Sequence, residues 1–266
     1  MSATTYKTWR KPPLIPNPWV RWGIILGATV YLSVVLSSLK INWMRVWEGL
    51  PRGGEFVLAF FQPDFVTRWY DISQGIQESL TMTVISTVFG IILSVPIAVG
   101  ASRNVSPLPV YLICRGIITL SRAFQEVIVA IFFVAMFGFG PFAGVITLSF
   151  ATIGFLAKLL AEDIEDIDPG QVEAIRSTGG SWMQVLNYGV LPQVFPRLIG
   201  LSVYRLDINF RESAVIGIVG AGGIGATLNT SFDRYDFDTA AAILLMIIGI
   251  VLITEYASGF IRKGLV

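Results

Sequence analysis

Residues 79–100 read SLTMTVISTVFGIILSVPIAVG, without a single charged side chain. A helix needs about 20 mostly apolar residues to cross the hydrocarbon core of a bilayer, and this stretch is long enough to do so. Working outward, residues 22–39, 141–157 and 239–254 have the same character with little or no charge. Two further apolar runs are interrupted. The run at about 109–137 contains Arg115, Arg122 and Glu126, and the run 194–219 contains Arg197, Arg205, Asp207, Arg211 and Glu212. Counted together they predict an all-α membrane protein of about six transmembrane helices, with both termini on one side.

The composition agrees. Apolar residues make up 54% of the 266-residue chain and charged residues 14%, against roughly 25% charged in soluble domains; the mean hydropathy is +0.69. Lipid is part of this protein's solvent. A net charge of +1 gives no basic field for nucleic acid. The chain has no histidine, so the commonest general base and transition-metal ligand are both missing. Cys114 stands alone, which excludes an internal disulfide and any cysteine-cluster metal site. No catalytic residue and no metal site are assigned.

The first apolar run is too long for a signal peptide and no small-residue cleavage site follows it. Lys7, Arg10, Lys11 and Arg21 precede it, Arg103 follows the second span, and Arg262 and Lys263 follow the last. The positive-inside rule therefore predicts cytoplasmic termini. Lys40, Arg45, Arg52 and Arg68 run against that rule, since segment 41–77 is then external. Trp19, Trp22, Trp43, Trp47, Trp69 and Tyr70 suit an aromatic belt, and residues 56–61 suggest a short helix on the outer surface. No linker separates two domains, so 1–266 reads as one transmembrane domain.

The loop between the fourth and fifth spans, 161–192, is polar yet carries helix signals. Asp168 is an N-cap, Pro169 takes the first helical position and Gln171 follows three residues after the cap. Gly179 and Gly180 stop that helix. Ser181 caps a second one, with Gln184 three residues on and Pro192 past its end. Two short helices on a charged loop suit docking into another protein's groove.

Within this hairpin stand Glu173-Ala174-Ile175, then Gly179 after three residues, then Gly189-Val190-Leu191-Pro192 after nine more. This resembles the EAA motif of ABC importer permeases, Glu-Ala-Ala, three residues, Gly, nine residues, Ile-x-Leu-Pro. Ile175 and Gly189 depart from it. The resemblance implies that Glu173, Ala174, Gly179, Leu191 and Pro192 couple the chain to an ATP-binding subunit through a cytoplasmic coupling hairpin. This chain has no Gly-x4-Gly-Lys-Ser/Thr phosphate loop. Hydrolysis, with ATP and Mg, is therefore expected on the partner, and no cofactor on this chain. Beside the motif, Glu162, Asp163, Glu165, Asp166, Asp168 and Glu173 form an acidic group with Arg176; it is either a solvated face or a contact for basic residues of that subunit.

Charges at mid-bilayer are costly unless paired or functional. Arg122 and Glu126, and likewise Asp207 and Arg211, stand four apart, the spacing for pairing on one helical face. Arg115 and Arg205 have no carboxylate at that spacing. Arg115, Arg205, Asn209 and Arg211 are therefore the candidates for a translocation pathway, with Arg122 and Arg211 open to a purely neutralising role. Residues 220–225, GAGGIG, formally contain Gly-x-Gly-x-x-Gly, but no strand–helix–strand unit surrounds them. Gly220, Gly222, Gly223 and Gly225 are read as a candidate gate loop, close-packed or lending amides to a passing oxyanion.

Stretches 138–145, 156–162 and 217–225 resemble the phosphonate-type subgroup of these permeases. That resemblance, covering about 75–262, implies a homodimer, two ATP-binding subunits, an external solute-binding protein, a bacterial inner-membrane location, and import of phosphonate, phosphite or a related phosphorus oxyanion. An importer for another small solute such as an amino acid is the alternative. An ATP-independent secondary transporter is another, although no inverted repeat is visible.

Overall fold

The computed structural model describes residues 15, 17–39 and 41–263, with side chains described to residue 260. Lys7, Arg10, Lys11 and Lys40, and the side chains of Arg262 and Lys263, on which much of the orientation reading rests, lie outside the described residues. Among the described residues the regular structure is entirely helical. The helices are α1 (Pro18–Ser38), α2 (Trp43–Ala59), α3 (Trp69–Gly100), α4 (Leu108–Ala123), α5 (Glu126–Phe137), α6 (Pro141–Glu165) and α7 (Pro169–Ser177). A single turn, α8 (Trp182–Gln184), and a π-helical turn (Val185–Val190) lead into α9 (Leu191–Ile218), followed by α10 (Ile224–Asp233) and α11 (Phe237–Lys263).

The chain divides into two compact units, Met1–Gly54 and Glu55–Val266. In the first, Asn17 caps α1 by accepting from the Trp19 amide at 3.0 Å, and no residue of α1 is buried. An apolar helix with every side chain on its surface is built for lipid rather than water. The second unit is a helical bundle about the long pair α3 and α6. Small residues line their seam: a Cβ on Gly90 would meet Thr152 Cγ2 at 2.3 Å. Close approach through small residues replaces the hydrophobic drive that lipid removes. Meanwhile Phe89, Ile92, Leu112, Phe132, Leu252 and Ile253 point outward and exposed.

By length and composition α1, α3, α6 and Phe237–Phe260 of α11 are able to span a membrane, and α4 with α5 does so only as a broken pair. Several sequence expectations change here. The run 109–137 is two helices meeting at 94°, because Phe124 and Gln125 adopt extended backbone. The second span begins at Trp69, ten residues before the uncharged stretch, and the fourth runs on to Glu165. Residues 56–59, expected to open a short helix, are instead the end of the longer α2. α9 is about 42 Å long at 1.5 Å per residue, ample by length, but its charges set it apart from the apolar spans. The connection 220–237 holds α10.

Candidate functional site

At the hairpin end, local chemistry builds the structure. Asp168 Oδ1 accepts from the Gly170 amide at 3.0 Å, and the Ser181 amide donates to Gln184 Oε1 at 2.7 Å. Gly179 turns the chain with φ +78°, in the left-handed region that favours glycine. Pro192 does not follow a helix end as expected: the π-helical turn carries the chain straight into α9, with Pro192 in its first turn, where a missing N–H costs little. Gln171 forms no capping bond to Asp168; the polar partner is Gln193, which sequence reading missed. Its Oε1 accepts from the Asp168 amide at 3.0 Å, and its Nε2 donates to the Gly189 carbonyl at 2.6 Å. One side chain thus staples α7 to the start of α9. Gly189, a departure from the motif, has its reason in packing, since a Cβ there would lie 3.3 Å from Val172 Cα.

The hairpin rests on the turn between α3 and α4. Trp182 Nε1 donates to the Val105 carbonyl at 3.1 Å and Asn104 Nδ2 to the Ile164 carbonyl at 2.7 Å. Leu160, Ile164, Val190 and Val194 form the buried cluster beneath, with Ile167, Val172 and Leu191 packed on it. The acidic group is partly consumed within the fold. Glu165 binds Arg115 at 2.9 Å, Asp163 binds Arg197 at 3.0 Å, and Glu162 binds Lys158 at 3.4 Å. Asp166, Glu173, Ala174 and Gly179 remain exposed.

Midway along the bundle lies a polar layer. Asn209 is fully buried; its Nδ2 donates to Thr87 Oγ1 at 2.8 Å and to Thr152 Oγ1 at 3.0 Å. Arg205 Nε donates to the same Thr152 oxygen at 3.1 Å. The Arg205 guanidinium pairs with Glu212 at 2.9 Å and lies over the Phe155 ring, 5.4 Å from its centroid. Arg211 pairs with Asp207, as the spacing predicted, and Asp207 also accepts from Thr254 Oγ1 at 2.9 Å.

Two expectations about these charges are corrected. Arg115 and Arg205 do have carboxylates at other spacings: Arg205 pairs with Glu212, two turns along the same helix α9, and Arg115 with Glu165, fifty residues away on α6, which only helix packing brings near. Conversely, Arg122 and Glu126 do not share a helical face. The helix breaks between them, and among the described residues no carboxylate lies within ion-pair distance of Arg122.

At the end of the bundle away from the hairpin, the glycine tract is packed backbone to backbone. The Gly140 amide donates to the Gly220 carbonyl at 3.0 Å, joining the segments 138–145 and 217–225. A Cβ on Gly225 would lie 1.9 Å from the Ala214 carbonyl oxygen. The first amides of α10 are occupied. Gly223 donates to Glu78 Oε2 at 3.1 Å and Ile224 to Ser79 Oγ at 2.9 Å, so neither is turned to a passing anion.

The described residues thus form a helical bundle with a capped hairpin at one end and a charged layer midway along it. A family model described as binding-protein-dependent transport system inner membrane component matches residues 90–265. The phosphate-import permease protein PhnE of Mycolicibacterium smegmatis is 42% identical over 246 residues, 92% of this chain and 46% of that protein. The chain thus spans about half the length of that relative. A putative phosphite transport system permease protein, HtxC of Stutzerimonas stutzeri, is 37% identical over 86% of this chain and 84% of its own length. An inward-facing structure of the MetNI methionine ABC transporter shares the fold, with a TM-score of 0.65 at 22% identity over 73% of this chain and 96% of that one. The chain belongs to the family of binding-protein-dependent transport system inner membrane components, and within it to the phosphonate- and phosphite-type permeases. It is a multi-pass inner-membrane subunit of an ABC transporter.

Proposed function

We propose that this chain forms the path by which a phosphorus oxyanion such as phosphonate, phosphite or phosphate enters the cell, by alternating access driven by ATP on a partner subunit. The observation that carries the reading is mechanical. The exposed hairpin is continuous with α9 through the π-helical turn and stapled to it by Gln193, and α9 carries Arg205 and Asn209 at mid-depth. A push on the hairpin therefore reaches the charged layer through one helix. The names of the relatives support the solute class.

In this reading residues 1–266 act as one permease domain, 161–192 is the cytoplasmic coupling hairpin and 41–77 lies outside, with both termini cytoplasmic. Glu173, Ala174 and Gly179 meet the ATP-binding subunit, while Leu191 and Pro192 carry its motion into α9. Arg205, Asn209 and Arg211 border the pathway, Arg115 anchors its inner end to Glu165, and Gly220, Gly222, Gly223 and Gly225 form a tightly packed outer gate. A second copy of the chain, two ATP-binding subunits binding ATP and Mg, and an external solute-binding protein complete the machine.

Uptake into proteoliposomes holding the assembled complex, with the binding protein loaded in turn with methylphosphonate, phosphite, phosphate or methionine, tests this. ATP-dependent uptake of the phosphorus compounds and not methionine is expected. Uptake without ATP overturns the importer, and methionine uptake overturns the solute class. Glu173→Ala is expected to reduce uptake about tenfold, within the usual range of coupling energies, with subunit assembly and thermal stability unchanged. Wild-type uptake by that variant removes Glu173 from the coupling contact.

A further inference from the structure

A cavity of about 440 Å³ opens at the break between α4 and α5, lined by Ser121, Arg122, Gln125, Glu126, Phe155 and Arg205. A water occupies about 30 Å³ of liquid volume, so a small tetrahedral anion fits there with part of its hydration. Arg122 stands fourteen residues into α4, about 21 Å along the helix at 1.5 Å per residue, beside the break at Phe124. Its stem lies against α6, where Gly154 makes room: a Cβ there would come within 3.0 Å of Arg122 Cγ and 2.5 Å of Ser121 Oγ. Ser121 in turn donates to the Phe150 carbonyl at 2.6 Å, fixing the end of α4.

The arginines of α4 and α9 divide sharply. Arg115, Arg197, Arg205 and Arg211 each hold a carboxylate. Arg122 holds none among the described residues. A cation within an apolar, span-forming helix pair is retained only with a reason, and a cavity beside it supplies one. A guanidinium presents a planar fork that grips two oxygens of one oxyanion. Glu126 lines the same cavity, and a carboxylate repels a bare dianion. It accepts, however, the hydrogen of a P–OH group, which a phosphorus oxyacid carries as a monoanion and sulfate lacks at neutral pH.

We propose that this cavity is an intramembrane binding site for a singly protonated phosphorus oxyanion, with Arg122 as its cation and Glu126 as acceptor of the P–OH hydrogen. The proposal rests on the oxyanion-importer reading above. Phe155 closes the wall, and Arg205, held by Glu212 and Thr152, lines the side.

The test is direct binding to the purified complex of this chain with its ATP-binding subunits, without the solute-binding protein. The ³¹P line width of methylphosphonate is followed, alongside phosphite uptake in the complete system. Wild type is expected to broaden the line and Arg122→Gln to abolish the broadening and reduce uptake at least tenfold. Arg122→Lys, which keeps stem and charge but not the fork, is expected to bind more weakly and serves as the reporter if Arg122→Gln fails to assemble. Sulfate is expected to compete poorly with wild type and better with Glu126→Gln. Unaltered broadening in Arg122→Gln, or none in wild type that transports phosphite, overturns the site while leaving the importer intact. Sulfate competing equally in wild type overturns the role of Glu126. Absence of phosphorus-oxyanion uptake by wild type is instead the failure of the underlying reading.

Discussion

The hairpin and the mid-membrane layer are built on opposite principles. In the hairpin, the caps join residues two and three positions apart, Gly170 to Asp168 and Ser181 to Gln184. In the layer, the bonds of Asn209 reach across 122 residues to Thr87 and 57 to Thr152, and Arg205 reaches 53 residues to Thr152. One region takes its caps and turn from local bonds, even though it rests on the turn between α3 and α4. The other exists only when α3, α6 and α9 are already together, and in lipid its polar atoms have no alternative in water. The outer glycine tract shares this second character, since its order comes from segments far apart in sequence.

The contrast breaks first where packing is tightest. Gly225→Val places side-chain atoms where a Cβ alone would sit 1.9 Å from the Ala214 carbonyl, and is expected to abolish recovery of folded protein from detergent. Monodisperse protein at normal yield would show that the outer end is looser than the layer. Next, Arg205→Met leaves Glu212 without its guanidinium; the Arg205 side chain is 3% exposed, and breaking such a pair costs about 3–5 kcal/mol. A marked fall in thermal stability is expected, largely restored in the double variant Arg205→Met/Glu212→Gln but without recovery of transport. Unchanged stability in the single variant would make the layer functional rather than structural.

Smaller effects belong to the hairpin. Gln193→Leu removes the staple between α7 and α9, and a typical hydrogen bond is worth about 0.5–1.5 kcal/mol net. Faster amide exchange confined to residues near Asp168 is expected, while the Asn209 layer stays protected; loss of protection in both regions would mean they unfold as one. Smallest of all, Lys158→Ala opens a half-exposed pair with Glu162, 3.4 Å long. Such pairs contribute about 0–1 kcal/mol, so neither stability nor uptake should change measurably. A large change would assign the acidic group a role beyond its contacts within this chain.

How far the sequence could be read follows the same division. Asp168, Pro169 and Gly179 announced the hairpin because capping and left-handed turns depend on neighbours within one turn of helix. The apolar spans were equally legible, since transfer into lipid sums residue by residue. Arg211 with Asp207 was legible as well, being four apart on an unbroken helix. The same rule failed for Arg122 with Glu126, because neither glycine nor proline marks the break at Phe124 and Gln125. It also failed for Arg115, whose partner Glu165 lies fifty positions on.

By itself, then, the sequence determined a helical membrane protein, its apolar spans and a capped helical hairpin, all properties of short windows. Only the tertiary structure decided which arginines hold a carboxylate and that Arg122 lines a cavity without one among the described residues. It also decided that 138–145 and 217–225 meet, and that Gln193 ties the hairpin to α9. The reason is physical: hydropathy and capping are local energies, whereas ion pairs, amide layers and glycine contacts acquire their energy only once distant helices are brought within a few ångströms.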